Sequence, residues 1–258
     1  MRRPPRLNDP PGPWMFLLSR FRAFHFWLFA TAMTDKLSDL RQTINQLDDD
    51  ILALVRRRME LAADIIAAKS DAVAYRPGRE AEVVKRLIEA APELPAQLIA
   101  NIWRQLMTAS TSLQNGATRI AVHQDAMAVA GWHFGAMFPI VACDDLATVQ
   151  KLMAVDGGAD FALVPTSCAA DLAAWLLDDA TVHVIAQTPL KGSDTMPPVW
   201  MLGRQPADQV AEETSLIAHD SGAGPRISTR QGRVGEPLAE LSGRRRVIGV
   251  IASAAPND

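Results

Sequence analysis

Apolar residues recur every three or four positions from Leu37 through Leu40, Ile44, Leu47, Ile51, Leu54, Leu61 and Ile65, with no proline or glycine between them. That spacing is the period of one face of an α-helix, and it predicts a single helix over 35–70 with Thr34 or Asp35 as its cap. Such a helix is ~54 Å long, whereas a compact domain of its size has a radius of gyration of only ~12 Å. It therefore needs a second chain to cover it. A second helix is predicted from Pro77, where proline and glycine occupy the opening turn and Val83, Val84, Leu87 and Ile88 face inward. A third runs from about Pro95, with Ile99, Ile102, Trp103, Leu106, Met107 and Leu113 as its stripe.

Polar residues interrupt all three stripes. At 100° per residue, Leu40 is in register with Arg58, and Leu47, Ile51, Leu54 and Ile65 fall within about 40° of it. A guanidinium cannot shed its proton and is costly to bury unpaired, so Arg58 implies a carboxylate or phosphate nearby. No acid of the same helix shares that face, which leaves an acid from another segment, Glu80 for example, or a bound anion. Lys69 lies near the end of the same helix, Glu80 sits on the apolar face of the second, and Ser110 and Gln114 continue the stripe of the third. Five such residues favour a polar cavity. Two or three cations, one carboxylate and neutral hydrogen-bonding groups suit a small polyanion that carries a hydroxyl. No nucleophilic triad, metal-ligand cluster or phosphate-cradling loop accompanies them. His123, His133, His183, Cys143 and Cys168 are isolated and read as ordinary packing.

Residues 37–114 resemble the all-helical chorismate mutases, above all the domain at the front of bifunctional chorismate mutase/prephenate dehydratases. The resemblance is carried by LSDLRQTINQLDDDILALVRRRMELAADIIAAK, YRPGREAEVVKRL and IWRQLMTASTSLQ. It implies a three-helix domain in an intertwined homodimer, acting on chorismate without metal or cofactor. By the same resemblance, Arg41 reaches across the dimer to one substrate carboxylate and Arg58 holds the other. Lys69 and Gln114 meet the ether oxygen, Glu80 accepts from the ring hydroxyl, Ser110 contacts a carboxylate, and Arg79 supports the site. Arg76 departs from the pattern, standing where some members have an aspartate, and is expected to be a solvated loop residue. Arg41 and Arg58 are 17 residues apart, which is ~25 Å along a helix. One straight helix cannot bring both to one site, so two composite sites per dimer are expected.

The character of the chain changes after Asn115, Gly116 and Ala117. Short β-branched runs at 119–122, 161–164, 182–186, 199–202 and 247–251 alternate in the first part with helical windows at 127–135, 145–155 and 169–177, which suggests an α/β unit with a largely parallel sheet. The segments RIAVHQDAMAVAGWHFG, GADFALVPTS and PVWMLGR faintly resemble the first part of a prephenate dehydratase domain of the periplasmic-binding-protein type. The departures are larger than the matches: Thr166 and Ser167 stand near the family's Asn and Glu, and Pro198, Val199 and Trp200 replace its Thr-Arg-Phe. The expected organisation is an extension over 1–33, a mutase domain over 34–115, a degenerate dehydratase-like domain over 118–252 and a tail over 253–258.

With 258 residues, 48% of them hydrophobic, the chain can bury two modest cores. A net charge of −3 gives no electrostatic case for nucleic acid, and Arg244, Arg245 and Arg246 read as the solvated start of a strand. Two cysteines cannot build a disulfide framework, which favours a reducing compartment. Residues 1–32 carry five arginines and one acidic residue and end in a small-residue pattern that mimics a secretory cleavage site. Arg20, Arg22 and His25 break the apolar stretch, so neither a clean signal core nor a ~20-residue membrane span is present. The preferred account is an unstructured or untranslated extension ahead of Met33 on a cytoplasmic enzyme; export is the alternative. Rival functions are a bifunctional mutase/dehydratase, a non-catalytic regulatory dimer and an isochorismate pyruvate-lyase-like activity.

Overall fold

The computed structural model describes residues 13–68, 75–114, 118–156, 158–190, 196–235 and 243–253, with side chains from Lys36 onward, those of Ile66 and Gln114 excepted. The chain divides into two compact units, Met1–Glu60 and Leu61–Asp258. The described residues of the first unit are all helical. Helix α1 (Pro13–Ala67) is already helical at Pro13, so neither Thr34 nor Asp35 is a cap. The part of the extension that had been expected to lack structure is helical from Pro13. At its other end α1 stops at Ala67, and Lys69 and Ser70 lie outside the described residues. Among the described residues no helix is long and apolar enough to cross a membrane.

In the second unit, helices α2 (Pro77–Ala90) and α3 (Ala96–Gln114) begin where proline chemistry places them. Ile99 and Met107 of α3 are buried, but Ile102 and Leu113 of the same stripe are exposed. Val83, Val84, Leu87 and Ile88 of α2 are half-buried, not enclosed as expected.

Residues from 118 onward build one eight-stranded sheet, ordered β2-β1-β3-β5-β4-β8-β6-β7. The strands are β1 (Ile120–His123), β2 (Ile140–Cys143), β3 (Phe161–Pro165), β4 (His183–Thr188), β5 (Val199–Gly203), β6 (Glu213–Asp220), β7 (Arg226–Gln231) and β8 (Arg244–Ala252). Helices α4 (Met127–Phe134), α5 (Leu146–Ala154) and α6 (Ala169–Asp178) fill the three expected windows. The chain steps from β1 outward to β2, then back across β1 to β3. Right-handed crossovers in opposite directions place their helices on opposite faces. Accordingly α4 packs with Val122, Leu163 and Met201 in one apolar layer, while α5 and α6 pack with Ala121, Val164 and Leu202 in the other.

The sheet is mixed, which corrects the expectation of a largely parallel one. Pairs β1/β2, β1/β3 and β4/β8 are parallel, whereas β3/β5, β4/β5, β6/β7 and β6/β8 are antiparallel. Among the described residues no helix separates the strands after β4, and strands without a crossover helix reverse direction. The arginines at 244–246 are more than a solvated strand start: Arg244 pairs with Asp178, and Arg246 donates to the carbonyls of Leu176, Asp179 and Ala180 at the end of α6. A cation in that place meets the negative end of the helix dipole.

Candidate functional site

The expected site residues fall into both units. In the first, Arg41 is exposed on α1 and Arg58 is half-buried. The helix between them is unbroken, so their separation along the axis stands as the spacing required. In the second, Arg79 and Glu80 occupy the first turn of α2, Arg79 exposed and Glu80 half-buried. Ser110 is buried on α3, and its hydroxyl donates to the Leu106 carbonyl at 2.7 Å, one turn back. Gln114 is the last residue of α3, its side chain outside the described set. Lys69 is outside it altogether.

Arg76 is exposed, as expected of a solvated loop residue, but it is also paired. Its guanidinium makes a two-pronged ion pair with Asp208, Nε to both carboxylate oxygens at 3.1 and 3.0 Å and a terminal nitrogen to Oδ1 at 2.8 Å. Asp208 holds the guanidinium pKa above its ordinary value.

Beside these residues lies a buried polar cluster that sequence reasoning passed over. His133, in the apolar helix α4, is 3% exposed. Its Nε2 lies 2.8 Å from the Tyr75 hydroxyl, and its Nδ1 lies 2.7 Å from both an Arg104 nitrogen and the Thr188 hydroxyl. Arginine only donates, so Nδ1 accepts and the neutral ring carries its proton on Nε2, which donates to the Tyr75 oxygen. Burial, with Arg104 reinforcing it, pushes the His133 pKa well below its usual value. Burial likewise raises Tyr75 and lowers Arg104; the charge of Glu80 adds to the rise at Tyr75 and opposes the fall at Arg104. The Arg104 guanidinium also stacks 4.4 Å from the Trp132 ring centroid, and the Trp132 indole donates to Asn101. The signal in the sequence was the one tyrosine of the chain and a histidine in an otherwise apolar helix. The other calls on isolated residues hold: Cys143 is buried, Cys168 half-buried, and burial raises both thiols, leaving them poor nucleophiles.

A cavity of about 570 Å³ opens near the start of α2, walled by Tyr75, Phe161 and Ile185 and rimmed by Arg76, Arg204 and Asp208. Among the described residues no group of three His, Cys, Asp or Glu side chains is placed to hold a metal ion.

Residues 40–115 match the family model for chorismate mutase type II. This stretch is similar to chorismate mutase type II domains. It holds every mutase position singled out above, from Arg41 to Gln114. The chain is also similar to two bifunctional chorismate mutase/prephenate dehydratases. That of Aquifex aeolicus is 29% identical over 87 residues, which is 31% of this chain and 24% of the relative. That of Stutzerimonas stutzeri is 29% identical over 145 residues, 51% of this chain and 39% of the relative. The chain thus spans well under half the length of either relative. No solved structure matches.

From residue 118 onward, the three segments that resemble a dehydratase lie on neighbouring strands β1, β3 and β5. Strands β1 and β3 run parallel, and β5 runs against them with Val199 opposite Pro165, so His123, Thr166 and Pro198 share one edge of the sheet. The Thr166 hydroxyl donates to the Pro198 carbonyl there.

Proposed function

We propose that this protein is a chorismate mutase of aromatic amino acid biosynthesis, working as a homodimer with two composite sites. The observation that carries the reading is the family match over 40–115; within that stretch, the resemblance makes Arg41, Arg58, Lys69, Glu80, Ser110 and Gln114 the substrate contacts. Chorismate becomes prephenate by an intramolecular [3,3] shift: the ether C–O bond breaks as a C–C bond forms, and no proton changes hands. The protein's task is to confine the extended enolpyruvyl ether in its folded conformer. Arg58 of one chain and Arg41 of the other hold the two carboxylates. Lys69 and Gln114 donate to the ether oxygen as charge grows on it, a stabilisation present only in the transition state. Glu80 accepts from the ring hydroxyl, Ser110 adds a carboxylate contact and Arg79 supports the loop. Purified protein incubated with chorismate should form prephenate, identified by its acid conversion to phenylpyruvate. Absence of turnover, or formation of another product, sinks the assignment.

For the α/β unit the reading is a dehydratase-like domain of periplasmic-binding-protein type that no longer dehydrates. The shared edge of β1, β3 and β5 supports the kinship, while Pro198, Val199 and Trp200 in place of Thr-Arg-Phe argue against the chemistry. Supplying prephenate and measuring phenylpyruvate at neutral pH tests this directly, and turnover above background makes the protein bifunctional.

A further inference from the structure

The connection between β5 and β6 runs along the back of α2 and touches it at four successive points. Asp208 pairs with Arg76, Val210 packs against Gly78, the Ala211 amide donates to Glu82 at 3.1 Å, and Glu212 pairs with Lys85 at 2.9 Å. A methyl group at Gly78 would lie 2.8 Å from a Val210 methyl, so this glycine is what lets the loop approach so closely. The loop is itself anchored from behind. Arg233 donates to the carbonyls of Ala207 and Asp208 and to both oxygens of Glu213, which is only 5% exposed and also accepts from the Val210 amide.

Gly78, Glu82 and Lys85 form one stripe of α2, and Glu80 lies roughly 170° around the helix from it, within about 60° of Val83, Val84 and Leu87. Pressing on the first stripe therefore fixes where the second one points. The link to Glu80 is short, because its amide donates to the Arg76 carbonyl at 3.1 Å and closes the first turn on the residue that Asp208 grips. An isolated surface ion pair contributes little. Here the pair is two-pronged, and Asp208 belongs to a loop held by a buried carboxylate.

We propose that residues 204–212 form a strap through which the α/β unit positions Glu80, with Asp208 as the positioning residue and Arg76 as its fastening. This rests on the mutase reading and gives the second domain a role in that reaction. The arginine that departs from the family's aspartate is thereby the half of the contact that faces the strap.

The test uses the full-length chain with chorismate. Asp208→Ala should lower kcat/KM by about 10- to 100-fold, since a misplacement of about 1 Å at a site group can cost on the order of 10²-fold. In a Glu80→Gln background the same change should cost less than about twofold, because the effect passes through Glu80; two independent sites would add. Exchanging the charges, Arg76→Asp with Asp208→Arg, should recover most of the loss, and Gly78→Ala, which displaces Val210, should reproduce it. Full activity in Asp208→Ala, or an undiminished loss in the Glu80→Gln background, overturns the proposal while leaving the mutase reading intact. A wild-type chain inactive on chorismate removes that reading and the catalytic role of the strap with it. Faster hydrogen exchange of the α2 amides in Asp208→Ala would then retain the fastening as a purely structural contact, and unchanged exchange would remove that too.

Discussion

The long helix and the sheet satisfy the same hydrophobic demand in opposite ways. In the sheet, Ile120, Val122, Leu163 and Leu202 are fully buried, because each face is closed by helices of the same chain. On α1, Leu40, Ile44, Leu47, Ile51 and Leu54 leave 53–68% of their surface exposed. An exposed apolar stripe of that length is the mark of an interaction surface. The sheet is thus closed within the chain, whereas the stripe of α1 is left open. Arg41 and Arg58, both expected in the active site, lie on that open helix.

The comparison breaks most readily at Arg58. Arg58→Ala should reduce kcat/KM by on the order of 10²–10³-fold, as does loss of a charged donor from a preorganised site. Mixing it with inactive Arg41→Ala chains should restore about one working site per mixed dimer; steady-state rates of the mixture decide, and no recovery refutes the shared site. Next, Ile51→Asp should abolish self-association and activity together while leaving the sheet folded. Sedimentation and near-ultraviolet circular dichroism check this, and a fully active monomer would show that the stripe needs no partner.

On the closed side, His133→Leu should destabilise the second unit by roughly 2–4 kcal/mol, because it strands the buried hydroxyls and guanidinium around it. Denaturant titration reads that loss. The wild-type pH dependence follows from the same residue. Its folded pKa is depressed, so the unfolded chain binds the extra proton, and the stability it contributes is present above the unfolded value of about 6.5 and declines as pH falls below that. His133→Leu should flatten this slope. The smallest effect belongs to Lys85→Ala, whose pair with Glu212 is solvent-exposed: its melting temperature should match wild type, and a clear drop would mean that the strap depends on this contact.

The helices could be read from the sequence because a 3.6-residue period over eight positions has few alternatives, and Pro77 and Pro95 mark where α2 and α3 begin. Where α1 begins could not be read, since Thr34 and Asp35 are good caps by composition and nothing local says that the backbone is already helical there. Five strands were legible as β-branched runs. Strand β2 escaped because its apolar run is only four residues long, and β6 and β7 escaped because polar residues fill half or more of their positions. The mixed order of the sheet was beyond reach, since pairing partners lie far apart in the chain. At the site, Arg58, Glu80 and Ser110 announced themselves as polar residues in apolar stripes. Arg76–Asp208 and the His133 cluster did not, because each joins segments at least 25 residues apart in sequence by contacts that no local pattern encodes.

The strand order also sets a timetable for the chain as it leaves the ribosome. Helices α2 and α3 draw on neighbouring residues and can form as soon as they emerge. The sheet cannot close until its last strand arrives, because β8 sits between β4 and β6 and seals both. Until Arg244–Ala252 is synthesised, two strand edges stay open to mispairing. High separation between partners makes that closure slow. The strap along α2 leads directly into β6, so the part of the molecule that steadies it is among the last to become firm.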